Sequence, residues 1–276
     1  MLTYTTRRNL CGKLSSDSSV DNLLMLDTLL NEGDRKVITS KPWGFREKTI
    51  TKSTVASQQF YYIGYGRVRN VTVTIGSTRY TPIEIKTREE WDYLNQSTTE
   101  SNTPEYYFVG DGKVGFYPTP SSATTDAITA NLFQGHKDLS IADYTAGTIT
   151  TTSGTTITGS GTTWTSQMAG RWIQITPSDT ANTGDGEWYE ISSVTSSTVL
   201  ELVSPYLGTA ISAGSAAYII GQTSIIPSEF QMLSIHYALE QYFSYVQPEK
   251  DRAALAKENF AEGLRALQIE HGGSTI

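Results

Sequence analysis

The chain has 276 residues and a formal net charge of −7, a balance that argues against a reader of nucleic acid, which carries a basic excess. Charged residues are 18% of the chain, below the usual quarter or so, and Thr, Ser, Gly and Tyr fill the gap, as in a turn-rich β protein. No apolar run is long enough to span a bilayer. The lone Cys11 excludes an intrachain disulfide or a cysteine-built metal site and reads as a small apolar residue.

The length suits one to two domains. Residues 1–16 are polar, carry Arg7, Arg8 and Lys13, and lack the apolar stretch of a secretory signal. They read as an extended arm. Asp17 or Ser19 can cap a helix through Val20, Leu23, Leu24, Leu26, Leu29 and Leu30, ending near Gly33. It is apolar on more than one face, so it is buried on several sides or packs on a neighbouring subunit.

Pro42-Trp43-Gly44-Phe45 predicts a turn whose rings pack down. Strands are predicted at Thr49–Val55, Gln59–Ile63 and Val68–Ile75. Gly76-Ser77 turns the last of these into Arg79–Ile85 as a hairpin. Thr87 caps a short helix to Leu94, with Glu90 completing a capping box and Trp91 and Leu94 facing inward. Glu105–Val109, the Asp111-Gly112 turn, Lys113–Tyr117 and Ile128–Phe133 complete a small antiparallel body.

From Gly147 to Gly221 Thr and Ser dominate. Strands recur at 148–151, 155–158, 171–176, 188–194, 199–202 and 217–220, between turns such as Ser153-Gly154 and Gly159-Ser160-Gly161. This spacing predicts a sandwich or barrel filled by Trp164, Met168, Trp172, Ile173, Ile175, Tyr189 and Ile191.

Pro227, Ser228 and Glu229 suit a first helical turn. Phe230, Leu233, Tyr237, Gln241 and Tyr245 follow on one side, and Pro248 breaks the helix. A second helix carries Leu255, Ala256, Phe260, Leu264 and Leu267 and stops at Gly272-Gly273. So short a link implies antiparallel packing. The expected fold is α+β: N- and C-terminal helices form a hub with a β body (residues 1–138 and 222–276), and residues 139–221 form an inserted β module.

Residues that could carry catalysis do not assemble into a pattern. His136, His236 and His271 lie far apart, at no metal-ligand spacing. Glu187 and Glu190 flank two aromatics, yet their odd separation on a strand puts them on opposite faces. Asp179, Asp185 and Glu187 form an acidic loop of the ordinary solvated kind. No catalytic residue, metal or cofactor is expected.

The order of motifs carries more. A Leu-rich helix ends in Gly33-Asp34-Arg35, followed by Pro42-Trp43-Gly44-Phe45, Gln58 to Tyr62, Trp91 to Leu94, Pro104 to Phe108, Phe116 to Pro120, and Ile226 to Phe230 opening a helical C-terminus. In this order the chain resembles the head–tail connector, or adaptor, proteins of tailed, especially short-tailed, bacteriophages. The resemblance covers most of residues 14–138 and 222–268; the Thr-rich module departs from the minimal pattern. It implies a structural virion protein at the head–tail interface, assembled in the host cytoplasm: a homo-oligomeric ring, commonly of about twelve copies, docked under the portal protein. The ring would extend the DNA channel, without specific DNA binding or a membrane, to a tail tube or nozzle protein. Portal contacts are expected from Arg7, Arg8, Ile269, His271 and Ile276, and subunit contacts from Leu23, Leu26, Leu30, Tyr237, Tyr245 and Phe260. The alternative is another tail or baseplate protein with a glycan-binding β module, favoured if Trp164, Trp172 or Trp188 is exposed.

Overall fold

A computed structural model describes residues 1–64, 66–97, 99–152, 154–177 and 183–272 and shows an α+β chain. Ser153, Asp179, Gly273 and Ile276 lie outside the described residues. The chain forms two compact units, Met1–Val37 with Lys137–Leu267, and Ile38–His136 with Gln268–Ile276. The Thr-rich module therefore groups with the helices, and the β body stands as its own unit. The grouping has a local cause: the segment entering the module is bonded to the first two helices. Asn31 exchanges hydrogen bonds with the backbone of Leu139 at 2.8 and 3.0 Å. Thr3 donates to Asp143 at 2.6 Å, and Asp143 N–H donates to Thr5 at 2.9 Å.

Among the described residues, the first unit holds four α-helices: α1 (Tyr4–Ser15), α2 (Val20–Ser40, which continues past the unit's boundary), α4 (Met232–Tyr245) and α5 (Lys250–His271, likewise). Residues 1–16 are thus not an extended arm. Thr3 accepts the Thr6 N–H at 3.2 Å as N-cap, and Ser16 closes the helix in the left-handed region at φ 65°. The buried face of α1 is Arg7, Cys11, Gly12 and Ser15. Spaced i, i+4, i+5, i+8, it is a helical face built from polar and small residues, which an apolar periodicity cannot reveal.

Helix α2 does not end at Gly33. There a Cβ would come within 2.9 Å of the Ser234 backbone, so the glycine lets α4 approach closely. Phe243 with Arg252, Tyr237 with Phe260, and Leu233 with Gly263 pair α4 and α5 in descending register, which is antiparallel. Pro248 falls in the link between them, as expected. Leu26 and Leu30 of α2 share one core with Cys11, Ile235, Ala238, Leu239, Tyr242, Phe243 and Ala256, so the two ends of the chain meet in one helical hub.

The same unit carries a seven-stranded antiparallel sheet in the order β14-β9-β10-β13-β12-β11-β15. Its strands are β9 (Thr148–Thr151), β10 (Thr156–Ser160), β11 (Trp172–Ile175), β12 (Trp188–Ser196), β13 (Val199–Leu202), β14 (Ile211–Ala216) and β15 (Tyr218–Gly221). The two outermost strands, β14 and β15, are separated in the chain by Ala217 alone. The sheet must curl until its edges meet there, giving a small barrel. Ile149, Ile157, Trp164, Ile173, Ile175, Ile191 and Ile220 fill it, and the Trp164 indole donates to the Tyr218 hydroxyl at 3.0 Å. Of the expected core residues, Trp172 instead faces outward and is half-buried.

The second unit is a sandwich of two four-stranded sheets, β1-β8-β3-β4 and β2-β7-β6-β5. They comprise β1 (Glu47–Thr54), β2 (Phe60–Tyr62), β3 (Gly66–Ile75), β4 (Thr78–Tyr80), β5 (Ile83–Ile85), β6 (Tyr106–Gly110), β7 (Lys113–Tyr117) and β8 (Thr124–Gln134). Val71, Val73, Ile128 and Ala130 of one sheet and Tyr61, Tyr107, Val114 and Phe116 of the other form one core. Asp111 and Gly112, at φ 52° and 70°, make the tight turn between β6 and β7.

The expected strand 79–85 is split. Pro82 cannot donate to a ladder, so the chain leaves the first sheet after β4 and joins the second as β5, parallel to β6. Helix α3 (Arg88–Leu94), with Thr87 accepting the Glu90 N–H at 3.3 Å, lies on the outer face of that second sheet. Trp91 there stacks on Phe108 at 5.5 Å and meets Phe60 edge-on at 5.9 Å.

Candidate assembly surfaces

The hub is locked by one polar contact. Arg7 donates from both terminal nitrogens to the two oxygens of Asp34, each at 2.8 Å, and Ser234 donates its hydroxyl to the same carboxylate. The pair joins α1 to α2, and the serine joins both to α4. Arg7 is therefore consumed inside the chain and is no free docking group. Arg8, half-buried, pairs with Asp27 at 3.1 Å.

The expected subunit contacts divide. Leu26 and Leu30 are buried in the hub's own core, because they sit on the face of α2 turned to α4; they are packing residues and not surface. Leu23 and Phe260 are half-buried, and Tyr237 stacks with Phe260 at 5.6 Å. Tyr245 is 79% exposed.

Exposed apolar side chains gather at one end of the hub. Arg252, in the first turn of α5, donates to the Leu14 carbonyl at the end of α1, so the α1–α2 and α4–α5 turns share that end. Leu14, Val20, Leu24, Tyr245, Val246 and Leu255 are all exposed there. Leu255, expected on the inner stripe, points away from it. Exposed apolar side chains gathered at one end in this way are what a subunit or partner contact buries.

In the second unit, a shallow, open groove lies between β5 and α3, lined by Glu84, Ile85, Glu89, Glu90, Tyr93, Leu94 and Tyr106. Ile83 and Tyr93 beside it are 63% and 72% exposed. Reading 79–85 as one hairpin strand hides this groove, which exists because β5 changes sheets. Ile269 of α5 is exposed, and His271 is half-buried against Phe45 at 5.9 Å.

Asp185, Glu187 and Glu190 stand on β12 or in the loop before it. Asp185 accepts from the Tyr189 hydroxyl at 2.5 Å and from the Glu187 N–H at 3.1 Å, holding its own loop. Burial and the neighbouring Asp185 push the Tyr189 hydroxyl up to about 12, so it stays protonated. Glu187 precedes β12, and Glu190 sits on the barrel's outer face opposite Trp172. Trp164 is buried, whereas Trp172 and Trp188 are half-buried on that outer face.

No helix is long and apolar enough to cross a membrane among the described residues. Comparison with curated proteins gives no match. The family model described as SU10 adaptor protein matches residues 5–275, nearly the whole chain, hub, sandwich and barrel together. The chain therefore belongs to the SU10 adaptor family, a structural adaptor family of bacteriophage and not a family of enzymes.

Proposed function

We propose that this protein forms a ring at the head–tail junction of a phage virion, docked under the portal protein and continuing the DNA channel to a tail tube or nozzle protein. The observation that carries the reading is the exposed apolar end of the hub, Leu14, Val20, Leu24, Tyr245, Val246 and Leu255, on a chain of an adaptor family. An isolated monomer gains nothing by holding six such side chains in water, whereas neighbouring copies gain by covering them. Leu23, Tyr237, Tyr245 and Phe260 remain the residues proposed for contacts between copies, and Arg8, Ile269 and His271 those proposed for the portal. A net charge of −7 on a channel wall repels phosphate and lets DNA slide.

The test is mass. Light scattering and negative-stain images of the purified chain, alone and with portal protein, should give a closed ring of about twelve copies seated on the portal. Absence of binding at micromolar concentration refutes the reading.

A further inference from the structure

One face of β1 and the lining of the β5–α3 groove differ in charge, and we propose that they are the two halves of one contact: β1 of one copy lies against the β5–α3 groove of the next. The proposal rests on the ring reading and names a second place where neighbours meet.

Topology puts the two surfaces on opposite flanks. β1 and β2 are edge strands of their respective sheets, joined by Val55–Gln59. The Tyr61 hydroxyl clasps that link, accepting the Val55 N–H at 3.1 Å and donating to the Gln58 carbonyl at 2.7 Å. β4 and β5 are the other two edges, joined only by Thr81-Pro82. One flank is therefore β1 over β2, and the other β4 over β5. A contact between opposite flanks is heterologous. It repeats from copy to copy and can close a ring, whereas a self-complementary patch stops at a dimer.

The chemistry of the flanks is complementary. Among the described strands, β1 is the longest edge: eight residues, paired only with β8. Its outer side presents a row of backbone N–H and C=O groups. Lys48, Ile50 and Lys52 fall on one face of it. The groove offers the counterpart. β5 has only β6 beside it, and Glu89 and Glu90 of α3 line the groove with Ile85, Tyr93, Leu94 and Tyr106, while Glu84 borders it from the other face of β5, beside Tyr107; no basic residue is in the lining. Arg79 of β4, Lys86 and Arg88 lie on the same flank outside the lining, and Arg88 is held by Asp92 at 2.9 Å. Ile50 would sit on the apolar floor, with Lys52 among the carboxylates. Lysine on an edge strand also deters indiscriminate edge pairing, so the strand admits a partner that brings negative charge.

The test uses the full chain, alone and with portal protein, and follows assembly by sedimentation and native mass. Lys52→Glu and Glu89→Lys each place like charges across the contact and should weaken assembly about tenfold. Both positions are exposed, so circular dichroism should be unchanged. The combined variant restores opposite charges and should return to within about threefold of wild type. A peptide of residues 47–54 in excess should inhibit assembly. Single variants that assemble like wild type overturn the contact and leave the ring standing. So does loss without rescue in the combined variant, or a peptide that binds without affecting assembly, which would give the groove to another basic partner. A wild-type chain that stays monomeric with and without portal overturns both readings.

Discussion

Arg7 and Asp34 meet as a two-bonded ion pair whose side chains are 2% and 1% exposed. Removing one partner leaves a buried charge uncompensated, so Arg7→Ala should destabilise the chain by about 3–5 kcal/mol. Arg7→Met combined with Asp34→Leu removes both charges and should recover most of that loss. Urea unfolding of the three proteins decides. A small effect of Arg7→Ala would mean that water reaches the pair.

Gly33 gives a prediction opposite in sign to helix propensity. Alanine favours a helix interior by about 1 kcal/mol. Here its Cβ would lie 2.9 Å from both Cα and O of Ser234, and backbone atoms cannot swing aside. Overpacking of about 1–3 kcal/mol should win, so Gly33→Ala should lower the melting temperature.

Cys11 should be silent towards thiol reagents in the native chain. It is buried among the hub helices, and that burial pushes its thiol up to about 12, so almost no thiolate exists near neutrality. Ellman titration should read no thiol in buffer and one in denaturant. Fast native labelling would show that the hub opens.

Burial lowers the pKa of His236 from its ordinary 6.5. As pH falls, the unfolded chain takes the proton first, and stability drops with it. The contribution is intact above about pH 7 and is lost as pH falls through 6.5 towards the lower folded value. Melting temperatures measured across that range should decline on the acid side, and His236→Gln should flatten the decline.

What could be read in advance follows from which side chains carry a pattern. α2, α4, α5, β3 and the β6–β7 hairpin announce themselves through apolar spacing or an Asp-Gly turn. α1 does not, because its buried face is Arg7, Cys11, Gly12 and Ser15. β14 escaped for a related reason, since Ile-Ser-Ala-Gly-Ser-Ala offers little periodic contrast. Gly33 looked like a stop signal and is a packing residue, a distinction that depends on a helix two hundred residues away. Val20 and five leucines in the first half of α2 said that the helix was too greasy for one face. They did not say that Leu26 and Leu30 turn inward while Val20 and Leu24 stay in water, because only the partner helix decides that. The acidic groove was hidden by the sheet change at Pro82.

The barrel enters and leaves the chain through neighbouring backbone. Tyr144 and Ile220 exchange hydrogen bonds at 2.9 Å, and the Gln222 side chain accepts the N–H groups of Ser140 and Ile141 at 2.9 and 2.8 Å. Such a stem works as a socket. Whatever is threaded between residues 144 and 220 can lengthen, shrink or be exchanged without moving the helices that hold the plug, so decoration of this chain is free to diversify while its base keeps one geometry.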